Sequence, residues 1–154
     1  MPLIDATLTP GAYEGAARDE LARLITEAAF DAESIPDVPS ARARGIVLLR
    51  DLAPGGFYCA GRPTDDAVRG VFATLHVSAG VLDAARKARL AAGVQAAAEA
   101  AAPDRSRPVV TSLVIVEVPE GQWCRDGRIA RLPDVAAVAR FEHLAATFAP
   151  RSAQ

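Results

Sequence analysis

With 154 residues, 51% of them hydrophobic, the chain holds enough apolar material for one sizeable core, and its halves are too short to be comfortable as separate domains. A net charge of -2 and a pI near 5.7 exclude the basic surplus of a nucleic-acid binder. No apolar run approaches the length of a membrane span, and the amino terminus lacks the basic and apolar regions of a signal peptide, so a cytoplasmic protein is the expectation.

Residues 2–8 alternate Pro2, Ile4, Ala6 and Leu8 with Leu3, Asp5 and Thr7, the period of a strand with one face more buried than the other. Pro10-Gly11 breaks that strand. From about 14 to 33, Ala17, Leu21, Leu24, Ile25, Ala28 and Ala29 recur at helical spacing, with Arg18, Asp19, Arg23 and Glu27 on the other side. A loop containing Pro36 and Pro39 leads to Ile46-Val47-Leu48-Leu49, too apolar for a half-exposed strand and therefore expected at the centre of a sheet. A turn rich in glycine follows, and the same order begins again. Strand 71–77 precedes a helix from about 81 to 102, in which Leu90, Val94, Ala97, Ala98 and Ala101 form the apolar stripe, and strand 109–118 precedes a second turn. Pro133 and Asp134 then read as a helix start with Asp134 as the cap. This last helix, about 134–149, aligns Val138, Phe141, Ala145 and Phe148, and leaves His143 off that face in solvent.

The two turns reveal an internal repeat. Gly55-Gly56-Phe57-Tyr58-Cys59-Ala60-Gly61-Arg62 and Gly121-Gln122-Trp123-Cys124-Arg125-Asp126-Gly127-Arg128 both read Gly-x-aromatic-x-x-x-Gly-Arg, with 55 matching 121, 57 matching 123, 61 matching 127 and 62 matching 128. Each copy closes a unit of strand, helix, strand and turn. The chain is therefore one α/β (α+β) domain over 1–154, built from pseudo-repeats 2–66 and 71–131. Val71 stands in the second half where Pro2 stands in the first, so only the first half has a terminal amine.

That amine is the chemistry the sequence offers. Once Met1 is removed, the Pro2 nitrogen is a basic secondary amine with a reference pKa of about 7.7 to 8.0. Apolar surroundings lower that value toward the pH where a general base works best. Asp5, Asp51 and Glu117 are candidate carboxylate partners, although acids at strand edges are usually solvated. Arg44, Arg62, Arg125 and Arg128 are candidates for an anionic substrate, their other role being that of solvated turn charges. Cys59 and Cys124 have neither metal nor redox spacing and read as free thiols, and His76 and His143 make no cluster, so neither a metal nor a cofactor is expected. His76 shares its strand face with Phe72 and Thr74, at an interface or in the core.

Pro2 behind Met1, the βαβ duplication and the paired glycine turns make residues 2 to about 130 resemble the tautomerase superfamily in its fused form. One half resembles 4-oxalocrotonate tautomerase, and the whole resembles fused members such as cis-3-chloroacrylic acid dehalogenase. The resemblance implies a four-stranded sheet with two helices on one face, a homotrimer, and Pro2 as the catalytic base or acid near a subunit boundary. It implies that Phe57 and Trp123 wall an apolar pocket, core packing being their alternative role, and that arginines hold a substrate carboxylate in a planar fork. Arg44 fits the arginine at the start of the second strand; Arg62 and Arg128 recur in both repeats. The arginine usual after the first strand is absent, since Ala12 and Val81 stand there. The dehalogenase's histidine, arginine pair and acid are replaced by Ala29, Val77, Val81 and Arg125, which argues against dehalogenation. The expected reaction is keto-enol proton transfer on a small oxo or hydroxy-dienoate acid. The alternatives are Pro2 as general acid in a hydratase, decarboxylase or dehalogenase, and a weakly catalytic binding subunit.

Overall fold

In the computed structural model, which describes residues 2–144, the alternating amino-terminal segment forms β1 (Leu3–Leu8), with Ile4, Ala6 and Leu8 buried and Leu3, Asp5 and Thr7 half-exposed. Helix α1 (Gly15–Glu33) buries Leu21, Ile25 and Ala29 from its apolar stripe and ends where Ser34 turns left-handed, at φ 53°. A short helix α2 (Pro39–Arg42) precedes β2 (Ile46–Asp51). The first repeat closes with a hairpin of β3 (Tyr58–Cys59) and β4 (Arg62–Pro63). The second repeat supplies β5 (Arg69–Ser78), α3 (Ala84–Ala101), β6 (Val109–Val118) and a hairpin of β7 (Cys124–Arg125) and β8 (Arg128–Ile129). All five residues predicted for the α3 stripe are buried, and the helix is capped by Asp83, whose carboxylate accepts the Arg86 N–H at 2.8 Å.

The sheet runs β2-β1-β5-β6. Within each repeat the two strands are parallel, and β1 and β5 join the repeats antiparallel, with Leu3 opposite His76 and Leu8 opposite Val71. Helices α1 and α3 lie side by side over the face made by Ile4, Ala6, Leu8, Val71, Ala73, Leu75 and Val77. One expectation is overturned: Ile46 to Leu49 lie on an edge strand, not a central one. The apolar run reflects two apolar faces, Val47 and Leu49 packing toward the helices while Ile46 and Leu48 remain 44% and 42% exposed on the open face.

The repeat is written into the backbone. Gly55 and Gly121 take φ of 81° and 82°, Ala60 and Asp126 both take 49°, and Gly61 and Gly127 take 75° and 74°. Two successive left-handed residues make the turn whose twist suits a two-residue hairpin, and glycine at the second removes the cost of that conformation. In each copy the aromatic residue's carbonyl accepts the closing bond, Thr64 N–H to Phe57 at 3.0 Å and Ala130 N–H to Trp123 at 2.7 Å.

At the carboxyl end of β1, Arg69 is buried and donates to the Ala12 carbonyl and, at 3.0 Å, to Asp104, with Tyr13 beneath its guanidinium. Burial pushes the Tyr13 hydroxyl up to about 12, against the nearby Arg69 charge, and it donates to the Ala98 carbonyl at 2.8 Å. Arg69→Ala leaves the buried Ala12 carbonyl without its donor and empties the space of a buried side chain, and urea unfolding is expected to show a loss of about 3 kcal/mol.

The last helix also departs from expectation. Helix α4 (Leu132–Ala139) is entered from Arg131 without a side-chain cap, so Asp134 sits in the first turn rather than at the cap. It stops at Ala139 because Arg140 turns left-handed at φ 54°. The chain doubles back there, so Phe141 is buried while Val138 is 38% exposed, and Ala145 and Phe148 lie outside the described residues. His143 is not solvated: it is half-buried, with a ring nitrogen 2.9 Å from the Val81 carbonyl. Among the described residues no helix is long and apolar enough to cross a membrane.

Candidate active site

Pro2 is buried where β1 enters the sheet, on the side of Ile4 and Ala6 that faces α1 and α3. Its carbonyl accepts the Ile46 N–H at 3.0 Å, which ties it to the start of β2. Strand direction decides what else reaches this end. Helix α1 runs back from the far end of β1 and finishes here, and α3 starts here, its Arg86 guanidinium 3.4 Å from the Ser34 hydroxyl at the end of α1. Gly45, one residue before Ile46, lies against the Phe30 ring: a Cβ there would sit 2.6 Å from Phe30 Cζ, so the close approach of this loop to α1 needs glycine.

A residue that sequence reasoning passed over stands at this end. Glu33 has no exposed surface. Burial holds its carboxyl above the usual carboxylate range, while the amino-terminal charge and a hydrogen bond with it pull the other way. The signal was present, because Leu21, Ile25, Ala29 and Glu33 follow one another at intervals of four, which places an acid in the core-facing row.

The acids proposed as partners of Pro2 are engaged elsewhere. Asp5 meets Arg50 at 2.8 Å on the open face of the sheet, and Asp51 meets Arg18 at 2.6 Å at the far end of β2. The Lys87 ammonium, 2.6 Å from Glu117, holds that carboxyl below its ordinary range.

Beside the start of β2 opens a cleft of about 480 Å³, lined by Arg44, Arg125, Arg128, Asp134, Val135 and Val138 among others. Arg44 and Arg128, and with them Arg125, are thus brought together by the fold. Helix α4 forms one wall and packs on α2. Trp123 is half-buried on the same hairpin but does not line the cleft.

Phe57 and Arg62 are not brought to Pro2 within one chain. The Phe57 ring lies 5.4 Å from Phe72, which pairs with Thr7, so it packs about 16 Å of strand away from Pro2. Arg62 is exposed on the same hairpin. The reason is topological: β2 runs parallel to β1 and delivers its hairpin to the far end, whereas β6 runs antiparallel to β1 and delivers the second hairpin to the Pro2 end. Both cysteines are free and exposed.

No protein-family model and no curated protein matches this chain. Solved structures do. A fused 4-OT described as an asymmetric trimer aligns at TM-score 0.68 and 21% identity, over 83% of this chain and 95% of that one. Pt0534, solved after inactivation by 2-oxo-3-pentynoate, aligns at TM-score 0.66 and 16% identity, over 83% of this chain and 95% of that one. N1, of the cis-3-chloroacrylic acid dehalogenase family, aligns at TM-score 0.65 and 18% identity, over 85% of each chain. With the sheet order, the paired helices and the repeated hairpins above, these likenesses establish that the chain has the fold of the tautomerase superfamily in its fused form, two β-α-β units on one polypeptide.

Proposed function

We propose that the protein is an enzyme of the tautomerase superfamily that moves a proton between oxygen and carbon of a small enol or oxo acid, with the Pro2 amine as its base. The observation that carries this reading is the placement of buried Pro2 at the same end of the sheet as a cleft lined by three arginines. With Met1 removed, the neutral amine takes the proton of the substrate hydroxyl, and the resulting ammonium returns it to a carbon of the conjugated chain. The arginines hold the carboxylate and stabilise negative charge developing on oxygen. Phe57, Arg62 and Trp123 are assigned lesser roles, since none of them lines this cleft.

The active assembly in this reading is a homotrimer. Ile46, Leu48, Val110, Val114 and Val116 leave an apolar face opposite the helices, and the fused 4-OT described above is a trimer. Closed cyclic symmetry covers such a face without leaving a free edge.

The direct test is alkylation. Incubation with 2-oxo-3-pentynoate, the compound that inactivated Pt0534, is expected to add one equivalent of mass to the Pro2 peptide and to abolish turnover of a phenylenolpyruvate-type substrate. A label on another residue, or none, overturns the assignment of Pro2. Arg44→Ala is expected to lower kcat/KM by about 10- to 100-fold, the equivalent of about 1.5 to 3 kcal/mol for a hydrogen bond to a charged group. Arg62→Ala is the comparison. A large loss there with none at Arg44 moves the carboxylate site to the first hairpin.

A further inference from the structure

We infer that Glu33 is the carboxylate partner of the Pro2 nitrogen and sets the pH at which that nitrogen becomes a base. The inference rests on the reading of Pro2 given above and deepens it. Its geometry comes from the meeting of elements at one end of the sheet. The last turn of α1 ends beside the start of β2, where Phe30 lies on Gly45 and the next residue, Ile46, holds the Pro2 carbonyl. Glu33 lies one turn beyond the core-facing Ala29, without exposed surface, where the row otherwise holds Leu21, Ile25 and Ala29. A carboxylate removed from water is costly unless it meets a cation or keeps its proton.

The other charged groups on the elements packed around this end have their own contacts. Arg86 of α3 bonds Asp83 and Ser34, and Lys87 bonds Glu117. Arg42 of α2 bonds Glu27 and meets Asp37. Arg44, Arg125 and Arg128 line the cleft with Asp134, His143 meets the Val81 carbonyl, and His76 lies on the opposite face of the sheet. In the chain that still carries Met1, the amino-terminal charge is the cation to which Glu33 responds. When Pro2 is that terminus, carboxylate and amine titrate as a pair with shared macroscopic steps. Attraction by Glu33 keeps the proton on Pro2 to a higher pH than burial alone would allow, so Glu33 is a positioning residue that acts through Pro2.

The test is a titration of Pro2 nitrogen by NMR in protein labelled with ¹⁵N-proline, alongside the pH profile of kcat/KM. Glu33→Gln is expected to lower the amine's pKa by about one unit or more, and the acid limb of the profile by the same amount. Glu33→Asp, which keeps the charge, is expected to restore most of the shift. In the wild-type protein, the Glu33 carboxyl carbon and the Pro2 nitrogen are expected to show the same two titration steps, a readout that requires no variant to fold. An amine titration unmoved by Glu33→Gln, or two independent single steps in the wild type, overturns the inference while leaving Pro2 catalysis standing. Loss of the Pro2 reading itself would appear differently, as a retained Met1 in the intact mass or as full activity in Pro2→Ala.

Discussion

Pro2→Ala is expected to retain about 1% or less of wild-type kcat/KM on an enol of the phenylpyruvate or 2-hydroxy-dienoate type. A positioned general base contributes about 10²- to 10⁴-fold, and the alanine variant keeps an amine but a primary one, on a more mobile terminus. The backbone bond from Ile46 N–H to the carbonyl of residue 2 survives the change, and the packing lost is only that of a small ring. Circular dichroism and assembly should therefore match wild type while the rate falls. The same measurement requires that the native chain begin at Pro2, since a retained Met1 turns the proline nitrogen into an amide without basicity. Intact mass decides that point, and full activity in Pro2→Ala would end the catalytic reading.

The second large effect is on assembly. Leu48→Lys combined with Val114→Lys is expected to convert a trimer of micromolar stability into a folded monomer, as read by light scattering. The register places Leu48, Asp5, Thr74 and Val114 in one row across the open face, with Leu48 42% and Val114 55% exposed in the single chain. In a lone chain a lysine at either position reaches water, and one lies beside Asp5, so the fold tolerates it. Inside a trimer the same lysines are desolvated against apolar partners, at a cost of several kcal/mol for each charge. A wild-type protein that is already monomeric at micromolar concentration rejects the trimer.

The burial of Glu33 bears on stability, with a definite sign. Its folded-state pKa lies above the ordinary value because of burial. The native state therefore binds the proton more tightly than the unfolded chain, and its contribution to stability is lost as pH rises from the ordinary carboxylate range through the raised value. Glu33→Gln should remove that pH-dependent loss, so the Tm of wild type is expected to fall relative to that of the variant as pH rises from about 4, where the unfolded carboxyl is still protonated, toward neutrality.

The local elements were legible because their causes are local. Alternation in residues 2–8, the stripe from Leu90 to Ala101 and the glycines of the two turns each impose one backbone conformation whatever surrounds them, and all three appear in the structure. The duplication was legible for the same reason, since two hairpins with the same left-handed pair need the same glycine. What the tertiary structure alone decided is which of these pieces meet. A run such as Ile46 to Leu49 records that both its faces are apolar, but not whether another strand lies beside it, and the sheet made it an edge. Arg44 and Arg128 stand 84 residues apart (128 minus 44) and share a cleft only because β6 runs antiparallel to β1, while Phe57 is carried away because β2 runs parallel to it. Strand direction is set by how the two repeats pair through β1 and β5, a choice made by nonlocal packing and hydrogen bonding that no single segment encodes.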